Sequence, residues 1–120
     1  MEEIMINGEK YVKESSIINY VQPSYSDSTY CVIRSTTAGV FVGNIEKRSG
    51  GEVEIANCRR IWFWKGAASL SELATYGVKC PKECKFSVIV PRQIVREIVE
   101  IIPVSETAKK SIDSVSIWRA

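Results

Sequence analysis

The chain has 120 residues, 45% of them hydrophobic and 25% charged, with a formal net charge of +2. This is the length of one domain with enough apolar material to bury roughly two-thirds of its unfolded surface, which excludes a disordered chain. A charge so close to neutral also excludes a broad cationic surface for long nucleic acids, so phosphate recognition, where it occurs, has to be focal.

The opening MEEIMINGEKYV sets β-prone residues on either side of Asn7-Gly8, a dipeptide suited to a two-residue turn, and predicts an N-terminal hairpin over residues 1–14. It is acidic and alternating, unlike a signal peptide, and no apolar run approaches the roughly 18 residues of a membrane span, so no membrane association is expected and the cytoplasm is the expected location. Residues 15–28 mix serines, Pro23 and Asp27 with Ile17, Ile18, Tyr20 and Val21. They read as an irregular connection whose apolar residues dock on the body or on a second subunit.

The body, residues 29–120, completes a single domain. YCVIRS, GVFVGNIEK and EVEIANCRRIWFW predict a three-stranded meander with a turn at RSGG. SLSELATYG then predicts a two-turn helix, with Ser69 and Glu72 as a reciprocal cap and Gly77 as its end. FSVIVP and REIVEIIPV read as further strands, with Pro91 and Pro103 at strand ends or edges, although IVREIVEII is also compatible with a helix. SETAKKSIDSV predicts a second helix capped by Ser105, and SIWRA a last short strand or a packed tail. The fold class is α+β: a mainly antiparallel sheet with two short helices.

The inventory for catalysis is poor. There is no histidine, the aspartates are Asp27 and Asp113, and no nucleophile or phosphate-loop motif occurs, so no enzyme is expected. Cys31, Cys58, Cys80 and Cys84 are expected as reduced, small buried or loop residues rather than as a four-thiolate zinc site, so no metal or cofactor is expected.

The best candidate site is RRIWFWKGAASL. Strict alternation puts Val53, Ile55, Asn57, Arg59, Ile61 and Phe63 on one face of the strand and Ala56, Cys58, Arg60, Trp62 and Trp64 on the other; a β-bulge near Asn57 or Cys58 would exchange them. On this reading Ile61 and Phe63 face the core, while Arg60, Trp62 and Trp64 offer indole plates and a guanidinium fork to a nucleotide or a neighbouring subunit. Arg59 stands beside them, and Ser69 opens a helix whose free N–H groups attract anions. Arg34, Thr36 and Thr37, ahead of Ala38 and Gly39, form a second candidate for sugar or phosphate oxygens, against the plainer reading of a hairpin turn.

The runs VIRSTTAGVFVG, ANCRRIWFWKGAASLSELATYGV and VEIIPVSETAKKSIDSVSIW together resemble the small phage and prophage proteins of the Thoeris anti-defence family, over about residues 28 to 118. The resemblance implies a non-enzymatic sponge that binds and sequesters a cyclic ADP-ribose isomer made by TIR-domain enzymes, in the host cytoplasm, and so blocks TIR-dependent immunity. It further implies a homo-oligomer, a dimer or a trimer of dimers, with ligand between subunits and with cyclic di- or trinucleotides at separate sites in some members. The positions it carries over are Arg34, Thr36, Thr37, Arg59, Arg60, Trp62, Trp64 and Ser69. One stacked base and two arginine contacts to phosphate give a gross of roughly 4 to 9 kcal/mol before association costs, so tight binding needs contacts from more than one strand. The alternative is an interaction protein whose aromatic strand forms a homo-oligomer interface without a small ligand.

Overall fold

The computed structural model describes residues 29–119, so the hairpin expected over 1–14 and the connection over 15–28 lie outside the described residues. Three strands, β1 (Thr29–Ser35), β2 (Gly39–Ser49) and β3 (Glu52–Phe63), form the expected antiparallel meander. Helix α1 (Leu70–Tyr76) follows, then a 3₁₀ turn at Pro81–Glu83, β4 (Lys85–Val95), β5 (Ile98–Pro103) and helix α2 (Glu106–Asp113). Segment 94–102 is strand, link and strand, so the helical alternative there fails. β4 runs through Pro91, which its edge position tolerates because no second ladder needs the missing N–H.

The sheet order is β4-β3-β2-β1-β5, so the consecutive strands β4 and β5 occupy opposite edges. Only Arg96 and Glu97 join them. In a flat sheet these edges would stand four spacings apart, roughly 19 Å, whereas two linking residues span at most about 11 Å. The sheet therefore curls into a partly open barrel. Its closure is pinned by Thr36 N–H donating to Glu97 O at 3.0 Å and Ile98 N–H to Gly51 O at 3.0 Å. Glu97 takes a left-handed φ of 61°, strain that these bonds on either side hold in place.

Curling creates two cores. Cys31, Ile33, Phe41, Ile45, Val53, Ile55, Cys58 and Val95, with Ile98 and Ile101 against them, come from all five strands and from no helix, and fill the concave side. Val32, Val42, Ile61 and Phe86 point the other way and pack under Leu73 and Ala74 of α1, Ile112 of α2, and Val78, Cys84 and Val115. This two-sided burial explains why Cys31, Val32 and Ile33 are all fully buried in succession. Each such aliphatic side chain contributes about 1.5–3 kcal/mol relative to exposure.

β3 carries the bulge that exchanges its faces. Val42 pairs with Arg59 but Asn44 pairs with Ala56, so Asn57 and Cys58 together oppose Gly43, and Asn57 adopts a φ of 53°. Asparagine tolerates that region better than most side chains. Gly43 is required opposite it, because a Cβ there would meet Ile55 Cγ2 at 2.5 Å and Ala56 O at 3.0 Å. The single face expected for Val53 through Phe63 is thus corrected: Val53, Ile55 and Cys58 line the barrel, and Ile61 lies in the helix-side core. Phe63, expected in the core, is 47% exposed. Trp64 packs with Ile61 on the helix side, three residues away, so alternation ends at Trp62.

Candidate functional site

The residues nominated on sequence separate into three groups. Arg59 is 4% exposed and belongs to the packing between layers. Its Nε donates to Ser87 O at 2.8 Å, Nη1 to Ile112 O at 3.1 Å and Nη2 to Val115 O at 2.7 Å, with the guanidinium 5.2 Å from the Phe86 ring. Burial lowers its pKa, and the neighbouring Tyr30 and Asp113 oppose that shift. Trp64 packs on the same core and donates from Nε1 to Ala67 O at 3.2 Å. Ser69 caps α1, its Oγ accepting from Glu72 N–H at 3.1 Å, while the Glu72 carboxylate accepts from Ala68 N–H rather than from Ser69 as a reciprocal cap would have it. A carboxylate of the chain itself therefore occupies the helix start that was to attract an anion. Arg59, Trp64 and Ser69 serve the fold.

The second group gathers at the β1–β2 turn. Arg60 Nη1 donates to Ala38 O at 3.0 Å and its guanidinium lies 4.6 Å from the Phe41 ring, which brings this arginine to the turn that carries Thr36 and Thr37. Both threonines are exposed. Arg34, on β1, pairs through Nε with Glu100 at 2.9 Å and remains half-exposed. The organiser of this turn is Ser35, which the sequence reading missed: 4% exposed, its Oγ donates to Arg96 O at 2.6 Å and accepts from Ala38 N–H at 3.1 Å and Thr37 N–H at 3.3 Å. A serine followed two and three residues on by turn amides is a recognisable local signal; its bond to Arg96, 61 residues away, is not.

The third group is built around Trp62, 64% exposed at the end of β3. Its ring stacks on Trp118, centroids 6.3 Å apart and planes 14° apart. Trp118 is held by its backbone N–H donating to Phe86 O at 2.8 Å beside the parallel bridge Phe86↔Ile117, which docks residues 117–118 on β4. Lys85 Nζ stands 5.4 Å from the Trp118 ring. Phe63 and Ile117 are also exposed. Two parallel indoles, an ammonium and flanking apolar side chains can stack a planar base and meet one negative charge.

A family model matches residues 28–112, and its description reads Domain of unknown function (DUF6948). The chain belongs to DUF6948. No curated protein and no solved structure matches it. The DUF6948 match spans all five strands and reaches Ile112 near the end of α2, so it contains Trp62 and Lys85 but stops short of Ile117 and Trp118. Half of the aromatic platform thus lies beyond the family match.

Among the described residues no three metal-ligating side chains converge. Cys31 and Cys58 lie in the barrel, whereas Cys84 lies in the helix-side core. No helix among the described residues is long and apolar enough to cross a membrane. A shallow groove of about 400 Å³ runs along Gly51, Glu52 and Arg96–Val99, where Arg96 pairs with Glu52 at 3.2 Å. None of the nominated residues lines it.

Proposed function

We propose that this DUF6948 chain is a phage anti-defence protein that binds a cyclic ADP-ribose signal, in the cytoplasm of the infected cell, and holds it without degrading it. The observation that carries this reading is the exposed Trp62–Trp118 stack beside Lys85. A plate of this kind takes the adenine face, and the ammonium meets the pyrophosphate. Arg60, Arg34, Thr36 and Thr37 at the β1–β2 turn offer polar groups to the ribose and phosphate oxygens of the same or a second nucleotide, cyclic di- or trinucleotides included. The platform is open, so the remaining contacts come from a second copy of the chain, in a dimer or a trimer of dimers. The absence of histidine fits retention without turnover.

A second reading rests on the exposed apolar side chains Phe63, Val88, Ile89 and Ile117 on and beside β4: the platform is a homo-oligomer interface with no small ligand. Isothermal titration of the full chain, well above micromolar concentration, with cyclic ADP-ribose isomers and cyclic oligonucleotides separates the two. The nucleotide reading expects saturable heat, intact ligand on denaturation, and a loss of about 5- to 150-fold in affinity for Trp62→Ala, equivalent to 1–3 kcal/mol of stacking. No heat with any ligand, together with an oligomer that Trp62→Ala disperses in sedimentation, establishes the interface reading instead.

A further inference from the structure

The CPKEC segment forms a tight turn that no part of the nucleotide reading uses. Cys80 and Cys84 flank the 3₁₀ turn, with Glu83 N–H donating to Cys80 O at 3.0 Å and Cys84 N–H to Pro81 O at 3.3 Å. The Cys84 sulfur is 3.4 Å from the carbonyl oxygen of Cys80 itself. A carbonyl oxygen lies roughly 2.4 Å from its own Cα, so the Cys84 sulfur is at most roughly 6 Å from the Cys80 Cα, a gap that a side-chain rotation and a small backbone adjustment close. Cys80 keeps part of its surface in solvent, whereas Cys84 is 8% exposed. The other two thiols cannot compete. Cys31 and Cys58 are fully buried inside the barrel.

The geometry points to a redox pair in which Cys80 is the thiol that meets a hydroperoxide and Cys84 the thiol that resolves it into an intramolecular disulfide. The Cys80 sulfur attacks one peroxide oxygen, forming a sulfenic acid and releasing water. The Cys84 sulfur then attacks the Cys80 sulfur, the S–O bond breaks, and the oxygen leaves as a second water. Two thiols lose two protons and two electrons, and hydrogen peroxide takes them up and is reduced to two waters.

The state of Cys84 bears on the aromatic strand. Its sulfur accepts from Lys65 N–H at 3.4 Å and faces Lys65 O at 3.7 Å, directly after Trp64. The same loop is locked at Gly66, whose carbonyl accepts from Lys79 N–H at 3.1 Å and whose φ of 95° and contact with the Lys79 backbone leave no room for a Cβ. Drawing the Cys84 sulfur toward Cys80 releases the Lys65 backbone and loosens the end of β3. This inference does not depend on any bound nucleotide.

The test uses the full chain, reduced, freed of reductant, exposed to hydrogen peroxide, alkylated and read by intact mass and peptide mapping. The expected result is a loss of about 2 Da, a Cys80–Cys84 linked peptide, Cys31 and Cys58 alkylated only after denaturation, and a change in tryptophan emission reversed by dithiothreitol. In Cys84→Ser the reaction halts at a sulfenic acid on Cys80 that dimedone traps. The inference is overturned by oxidation of Cys80 to sulfinic acid without a link, by a link between two chains, by loss of 2 Da in Cys80→Ser, or by four unchanged thiols. Should Cys84→Ser not fold, the wild-type mass and peptide map decide alone.

Discussion

Arg59 is placed where a helix ends with more acceptors than donors. The last carbonyls of an α-helix have no partner within the helix, and here the carbonyl of Ile112, in the last turn of α2, and that of Val115, just past its cap, receive the guanidinium while a third, from Ser87, receives Nε. One planar fork thereby joins β3, the edge strand β4 and α2. Replacing it by methionine keeps the stem and deletes these three donations, while Ile112 O keeps its bond from Val115 N–H at 3.1 Å. Arg59→Met is expected to lower unfolding stability by about 2–4 kcal/mol in urea titration, and Arg59→Lys to recover less than half of that, because an ammonium cannot reach three divergent acceptors. A loss within 0.5 kcal/mol, the range of about ±0.5 kcal/mol usual for a surface change, would contradict the keystone role. By contrast, Trp62 exposes most of its ring and contributes little to folding, which makes it the residue at which binding and stability separate.

At the scale of the element, β3 is governed by the bulge opposite Gly43. Any side chain at Gly43 drives its Cβ into Ile55 and the Ala56 carbonyl. Gly43→Ala is therefore expected to cost about 1–3 kcal/mol, read as a lower urea midpoint with an unchanged slope. Among the described residues the strands and both helices were legible in the sequence because hydrophobic runs, Ser caps and Gly ends are local signals, and each sits within a few residues of its expected place. The faces of β3 were not. Alternation carries no record of an extra residue, and the pair that forces one, Gly43 against Asn57, belongs to two different strands. The same limit hid the partner of Trp62: Trp118 reaches it through a single edge contact at Phe86. Arg59 and Arg60, adjacent in sequence, looked equivalent, yet the first is sealed under α2 and the second clips the β1–β2 turn. Ser69 was legible as a cap, and its capping role is what removes it from the candidate site.

For the whole molecule, curling the sheet puts titratable groups where ionisation is costly. Burial raises the Cys31 thiol from its ordinary 9.0 to about 12 and the Cys58 thiol to about 11, the latter against the pull of Arg60. Burial, then the charge of Asp113, raises Tyr30 from 10.0 to about 12. Each group holds its proton more tightly folded than unfolded. Stability is therefore complete below pH 9, where the unfolded thiols begin to ionise, and declines as pH rises toward 12. Urea titrations across that range are expected to show a fall approaching about 1.4 kcal/mol per pH unit for each group engaged, and Cys31→Ala should flatten the slope. The order of the strands was beyond local reading, since it depends on a two-residue link crossing from one edge of the sheet to the other. That link has a kinetic consequence. β5 reaches its place by pairing with β1, Cys31 with Pro103, 72 positions along the chain, and the Ser35–Arg96 clasp can form only when the β4–β5 link has returned to the meander. The entropy of closing so long a loop falls due before any contact repays it, which places this chain among slow-folding, high-contact-order topologies despite its small size.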